Sequence, residues 1–167
     1  MTEPDFRLEA LGDHDRSAFS SSVVRLDRYL REQASQDVRR RVANCFVAVE
    51  VSSGRIAAYY TLAATGISLT DFPPARAKQL PRYPVVPAAL IGRLAVDIGF
   101  RDRGLGHAML GDAVRRAARS EAAIFAVLVD AKDDSAASFY RKHGFTPLVD
   151  RPHNLFLAIT EAMKQFL

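Results

Sequence analysis

The sequence predicts an α/β fold, with helices packed on a mixed sheet, and three observations carry that expectation. Apolar runs rich in β-formers alternate along the chain with segments whose apolar residues recur at helical spacing. Two of the runs, AALIGRLAVD and IFAVLVD, are nearly continuous, which suits strands buried on both faces. No repeat, low-complexity tract or linker breaks the pattern, so the 167 residues are expected to form one domain, and an apolar content of 49% is enough for a core of its own.

Each element follows from its local pattern. Residues Phe6–Leu11 predict a short first strand. Val23, Leu26, Tyr29 and Leu30 then form one face of an amphipathic helix whose outer face carries Arg28 and Arg31. CFVAVEV and RIAAYYTLAAT, joined across the Ser52-Ser53-Gly54 turn, predict a hairpin that ends at Gly66. The segment DFPPARAKQLPRYPVVP holds five of the eight prolines and is expected to be a short helix in turn-rich chain, lying over one edge or mouth of the sheet. AALIGRLAVD follows as a central strand. After it a helix is expected to start near Gly104, because Leu105, Ala108, Met109, Ala113 and Ala117 recur at helical spacing. Beyond the strand IFAVLVD, DDSAASFYRKHG predicts a helix with Asp133, Asp134 and Ser135 as candidate N-caps and Gly144 as its stop. FTPLV and NLFLAIT are the last two strands.

Composition excludes several classes. No apolar run approaches the roughly 18–20 residues that would span a bilayer, and MTEPDFRLEALGDHDR is charged where a signal peptide would be apolar. A soluble, cytoplasmic protein without membrane contact is expected. Cys45 is the only cysteine, which rules out an internal disulfide, and within NCFVAVE it reads as a buried small hydrophobe rather than a nucleophile. His14, His107, His143 and His153 stand far apart without metal-ligand spacing, so no metal is expected. Lys and Arg number 23 against 19 Asp and Glu, giving a net charge of +4. The positive charge is nearly all arginine and clusters at Arg25, Arg28 and Arg31; Arg39, Arg40 and Arg41; Arg76, Lys78 and Arg82; and Arg115, Arg116 and Arg119. The planar guanidinium fork suits phosphate, and each cluster reads either as a polyanion-binding surface or as a solvated helix face.

Two motifs carry chemistry. Arg101-Asp102-Arg103-Gly104-Leu105-Gly106 lies between a buried strand and an amphipathic helix. Backbone N–H groups and the positive end of a helix dipole converge there, and glycine lets a diphosphate approach. Alone, RxxGxG is either an anion site or a turn. It is not a P-loop, since His107-Ala108 follows the second glycine, nor the dinucleotide fingerprint GxGxxG. The second motif is Ser138-Phe139-Tyr140-Arg141-Lys142-His143-Gly144-Phe145, where the aromatics read as core residues until the order of parts is considered: strand, RxxGxG, helix, strand, a short helix ending FYxxxGF, and final strands.

That order, with GRLAVD, RDRGLG and SFYRKHGF, resembles the back half of a GNAT acetyltransferase over residues 88–160. The resemblance implies a single GNAT domain over 1–167, a mixed, mostly antiparallel twisted sheet of six to seven strands flanked by helices, and acetyl-CoA as acetyl donor. The front half, FSSSVVRLDRYLRE followed by the arginine run and CFVAVE, is similar to the GNAT-type toxins of bacterial toxin–antitoxin pairs, which acetylate the amino group of aminoacyl-tRNA and arrest translation. An LxxYL helix followed by GRLAVD is the shared pattern. The chain departs from it at Ser20-Ser21, where the family often has Cys-Gly, and at Asp133, where other GNATs often have Asn.

Carried over by position, the resemblance implies that Tyr140 protonates the departing thiolate. Backbone groups of Leu94, Ala95 and Val96 would pair with the pantetheine arm, and the diphosphate would sit on Arg101, Arg103, Gly104, Gly106 and His107. A strand N–H near Leu94 or Ala95 would face the oxyanion. Arg93 would either hold an acceptor phosphate or make an ion pair under the sheet, with Arg39, Arg40 and Arg82 as further acceptor contacts. Glu50 and Asp97 are positional candidates for a general base. The implied partners are aminoacyl-tRNA, a second copy of the chain and a ribbon-helix-helix antitoxin. The alternatives are acetylation of a small amine or a protein amino group, and an acyl-CoA-sensing or nucleic-acid-binding module that kept the fold and lost transfer.

Overall fold

The computed structural model describes residues 5–167. In chain order the elements are β1 (Phe6–Ala10), α1 (Val24–Glu32), α2 (Ala34–Arg39), β2 (Asn44–Glu50), β3 (Ile56–Ser68), α3 (Pro74–Ala77), β4 (Val85–Val96), α4 (Leu105–Ala118), β5 (Ala126–Asp130), α5 (Asp134–Lys142), β6 (Thr146–Leu148), β7 (Arg151–Ala158) and α6 (Ile159–Phe166). Seven strands form one sheet in the order β1-β2-β3-β4-β5-β7-β6. The β1–β2, β2–β3, β5–β7 and β6–β7 ladders are antiparallel and β4–β5 is parallel, so the mixed, mostly antiparallel sheet expected from the sequence is present. The chain gathers into two compact units, one of residues up to 63 together with 92–112, the other of 64–91 with 113–167.

In the first unit, α1 turns Leu26, Tyr29 and Leu30 inward against Cys45, Val47 and Val49 of β2 and Ile56 and Tyr59 of β3. Those β2 residues alternate because successive strand side chains point to opposite faces. The Tyr59 ring stacks on Tyr29 at 6.3 Å and meets Phe19 edge-on at 5.6 Å. Each buried hydroxyl is committed: Tyr59 donates to the Leu26 carbonyl at 2.6 Å, Tyr60 to Asp112 at 2.6 Å and Tyr29 to Asp37 at 2.8 Å. The last bond pins α2, a helix that the sequence reading passes over. Gln33 ends α1 and opens α2, and Arg41, in the left-handed region at φ +60°, turns the chain toward β2.

The second unit packs Ile67, Phe72, Val86, Ala88, Ala126, Leu128, Leu148 and Phe156. Phe72 anchors the proline-rich segment, edge-on to Phe156 at 4.9 Å and to Phe125 at 6.2 Å, and α3 follows directly. Two expectations need correction here. Gly66 does not end its strand, because β3 runs on to Ser68. The glycine instead permits close packing, since a Cβ there would lie 2.4 Å from Cγ1 of Val85. The chain also does not end in strand: β7 stops at Ala158, and Ile159–Phe166 is a helix with Ala162 buried beneath it. The Ile159 N–H donates to the Phe125 carbonyl at 2.8 Å, which extends the β5–β7 ladder by one bond before the helix takes over.

Candidate active site

Three residues of helical turn, Ile98–Phe100, follow β4, and Asp97 shapes that turn. Its buried carboxylate accepts from the Gly99 N–H at 2.8 Å and from the Ser20 N–H at 2.9 Å. Asp97 therefore ties this turn to the segment before α1. Glu50 is likewise occupied, accepting from the Ser53 hydroxyl at 2.6 Å and facing Arg103 at 3.7 Å.

Asp102 and Gly104 take left-handed backbone, φ +61° and +74°, and swing the chain into α4. A Cβ on Gly104 would meet nothing within 4 Å, so the position demands glycine for its backbone angle, and the space before the helix stays open. Because α4 begins at Leu105, the N–H groups of Leu105, Gly106 and His107 lie in its first turn, at the positive end of a 14-residue helix. His107 is exposed there. Both arginines of the motif are tied to protein. Nη2 of Arg101 donates to the Ser21 carbonyl at 2.9 Å and to the Ser22 hydroxyl at 2.8 Å. The guanidinium of Arg103 lies 4.9 Å from the Phe6 ring centroid and near Glu50 and Asp5.

The β4–β5 ladder runs from Ala88–Ala126 to Ile91–Val129. Past those positions β4 continues for five residues, to Val96, and β5 for one. Leu94 and Val96 are half-buried, and Ala95 is buried in the core of the first unit. Just before them, the Arg93 N–H donates to the Thr61 hydroxyl at 3.1 Å, and its guanidinium lies 3.7 Å above the Tyr29 ring. The ion pair considered for Arg93 is thus replaced by a cation–π contact, which the sequence hid because Tyr29 and Arg93 are far apart in the chain.

Tyr140 belongs to the second unit. Asp133 caps α5 by accepting from the Ala136 N–H at 2.8 Å. At the other end Gly144, at φ +93°, donates to the Arg141 carbonyl at 3.0 Å, and the Phe145 N–H donates to the Tyr140 carbonyl at 3.1 Å. This is a Schellman stop, complete with its apolar contact: the Phe145 ring lies 5.6 Å from the Tyr140 ring. The FYxxxGF pattern thus records how the helix holds its tyrosine. Tyr140 is buried, and no hydrogen bond of its hydroxyl is found among the described residues. Burial, aided by the Asp130 carboxylate, pushes its pKa well above the ordinary phenol value, so the proton stays on oxygen throughout the neutral range.

The remaining candidates divide between the units. Arg93, Leu94, Ala95, Val96, Arg101, Arg103, Gly104, Gly106 and His107 lie in the first, as do the exposed Arg39 and Arg40 at the end of α2. Arg82, exposed in the proline-rich segment, lies in the second with Tyr140. Nearby, Arg76 is already paired with Glu161 at 2.9 Å. Burial pushes the Cys45 thiol up to about 12. Among the described residues no three His, Cys, Asp or Glu side chains gather as a metal set, and no helix is long and apolar enough to cross a membrane.

A loop of this geometry before a long helix, beyond a strand that outruns its partner, with a capped tyrosine helix, is that of an acetyltransferase: residues 41–147 match the acetyltransferase (GNAT) domain family, and the chain belongs to it. It is 34% identical to a tRNA-acetylating toxin of Mycobacterium tuberculosis, over 89% of this chain and 88% of that protein. It is 26% identical to a probable toxin TacT of Sinorhizobium fredii, over 87% of this chain and 86% of the relative. Among solved structures, a tyrosine-to-phenylalanine mutant of KacT superposes with a TM-score of 0.89 at 23% identity, covering 98% of this chain and all of that one. AtaT complexed with acetyl-methionyl-tRNAfMet gives 0.87 at 24% identity with the same coverage.

Proposed function

We propose that this acetyltransferase moves acetyl from acetyl-CoA to the α-amino group of an aminoacyl-tRNA and so acts as the translation-inhibiting toxin of a toxin–antitoxin pair. The observation that carries the reading is the likeness along nearly the whole chain to a tRNA-acetylating toxin. The basic composition supports it, since a tRNA backbone requires cationic contacts. The residues 1–167 act as one catalytic domain, in the cytoplasm, as a homodimer held in check by a ribbon-helix-helix antitoxin.

The backbone of Leu94, Ala95 and Val96 offers strand hydrogen bonds to the pantetheine amides. The first-turn N–H groups of α4, after Gly104, receive the diphosphate. The amine of the acceptor attacks the thioester carbonyl, a C–N bond forms and an N–H near Leu94 or Ala95 stabilises the oxyanion. As the C–S bond breaks, Tyr140 passes its proton to the thiolate, the amine loses its proton to solvent, and the tyrosinate recovers one from solvent. With Glu50 and Asp97 committed to structure, no carboxylate is assigned as base. An aminoacyl ester needs none strongly, because its α-amino group is less basic than an alkyl amine and is partly neutral near physiological pH. Transfer is direct: the single cysteine is a buried, protonated thiol and no acyl-enzyme forms on it. Arg93, Arg39, Arg40 and Arg82 are assigned to the acceptor.

The test is transfer of labelled acetyl from acetyl-CoA to a pool of aminoacylated tRNA, with uncharged tRNA and a panel of small amines as controls. Label is expected on the charged pool alone and is lost on hydrolysis of the aminoacyl ester. Turnover with a small amine and none with charged tRNA would reassign the acceptor.

A further inference from the structure

The segment Phe19–Ser22, which leads into α1, is bound to the RxxGxG loop by bonds that span 77 to 80 residues of sequence. From the loop side, Asp97 takes the Ser20 N–H, the Ile98 N–H donates to the Ser20 carbonyl at 2.8 Å, and Arg101 spreads one nitrogen over the Ser21 carbonyl and the Ser22 hydroxyl. From the α1 side, the buried Asp27 accepts from both the N–H and the hydroxyl of Ser21, at 2.9 and 2.6 Å, and Arg31 donates to the Phe19 carbonyl at 3.2 Å. Ser22 sits at φ +71°, a conformation costly for serine, and there its hydroxyl meets Arg101. A loop residue kept only for its charge would not need two specific acceptors, one of them on a strained residue.

We infer that Arg101 is a positioning residue, a strap that makes the RxxGxG loop and the start of α1 one mechanical piece, so that coenzyme A in the loop tightens the hold on an acceptor at Arg93, whose guanidinium rests on Tyr29 of α1. The inference rests on the acetyl-CoA and tRNA reading given above. If both ligands act on the same piece, each strengthens the other by the same factor.

Arg101 and Ser22 are both exposed, so two variants suit the test: Arg101→Lys keeps the charge and withdraws the one nitrogen, Nη2, that serves both acceptors, and Ser22→Gly removes one acceptor while relieving the backbone. The purified full-length protein is titrated with coenzyme A, alone and with a pool of aminoacylated tRNA, for wild type, both single variants and the double variant, with thermal melts as control. Each single variant is expected to bind coenzyme A roughly three- to tenfold more weakly, and the double variant no more weakly than Arg101→Lys alone. Wild-type tRNA affinity should rise at least about fivefold when coenzyme A is present, and the variants should lose that gain. Additive losses in the double variant, or a gain that survives in Arg101→Lys, overturn the strap. If wild type fails to bind tRNA at all, the acceptor reading and the coupling fall together, and the coenzyme A cycle alone decides whether Arg101 acts through Ser22.

Discussion

The two units of the chain treat buried polar groups in opposite ways. All five buried polar or charged side chains among the described residues, Ser21, Asp27, Thr61, Asp97 and Asp112, lie in the first unit, where the tyrosines Tyr29, Tyr59 and Tyr60 also give their hydroxyls to protein acceptors. The second unit buries the Tyr140 ring alone in this manner, against Phe139 and Phe145, and its hydroxyl takes no acceptor among the described residues. Polar stitching in one region and a hydroxyl without a protein acceptor in the other fit the two tasks proposed above, holding a loop and giving up a proton.

Removing the Tyr140 hydroxyl is the strongest way to break this contrast. Tyr140→Phe should lower acetyl transfer by about 10²- to 10⁴-fold while the melting transition and coenzyme A affinity stay close to wild type. A variant that turns over normally, or one that unfolds, would make Tyr140 an ordinary core residue. The matching change in the first unit, Tyr59→Phe, should do the reverse. It removes the second bond to the Leu26 carbonyl, which keeps its helical partner, and should cost about 0.5–1.5 kcal/mol in urea denaturation, with the activity of the folded fraction preserved.

A smaller effect sharpens the comparison from the thiol side. Cys45 is held by packing, and its folded pKa of about 12 exceeds the ordinary value of 9.0. Between those two values the unfolded chain has given up a proton that the folded chain keeps, so rising pH favours unfolding. Stability from this source is complete below about pH 9 and declines as pH climbs toward 12. A Cys45→Ala variant should show a shallower alkaline decline in a melt series, and an unchanged slope would mean that the tyrosines carry it.

Much of this was legible in the sequence because the decisive signals are local. Gly104 before an amphipathic run and FYxxxGF with its capping aspartate are each written within a dozen residues, and the structure gives each a backbone reason. The strands were legible through apolar runs, and only their ends moved. What stayed hidden depends on distant residues. Asp97 looks like a spare acid beside a catalytic strand until Ser20 is brought to it, and Arg93 looks like a phosphate hook until Tyr29 lies beneath it. The loop arginines read as free charge, although Arg101 and Arg103 are both engaged with protein. The helices α2 and α6 lacked a start signal: α2 shares Gln33 with α1, and α6 begins on Ile159-Thr160, two residues that by themselves favour strand.

The helix that carries Tyr140 has both ends fixed, by the Asp133 cap and the Gly144 stop, and so behaves as a ruler of set length. Adding or deleting one residue between them would rotate the tyrosine by about 100° around the helix, whereas side-chain changes at the exposed Arg141 and Lys142 would leave it in place. The exposed positions of this stretch can therefore change residue type without moving the tyrosine, whereas its length cannot change.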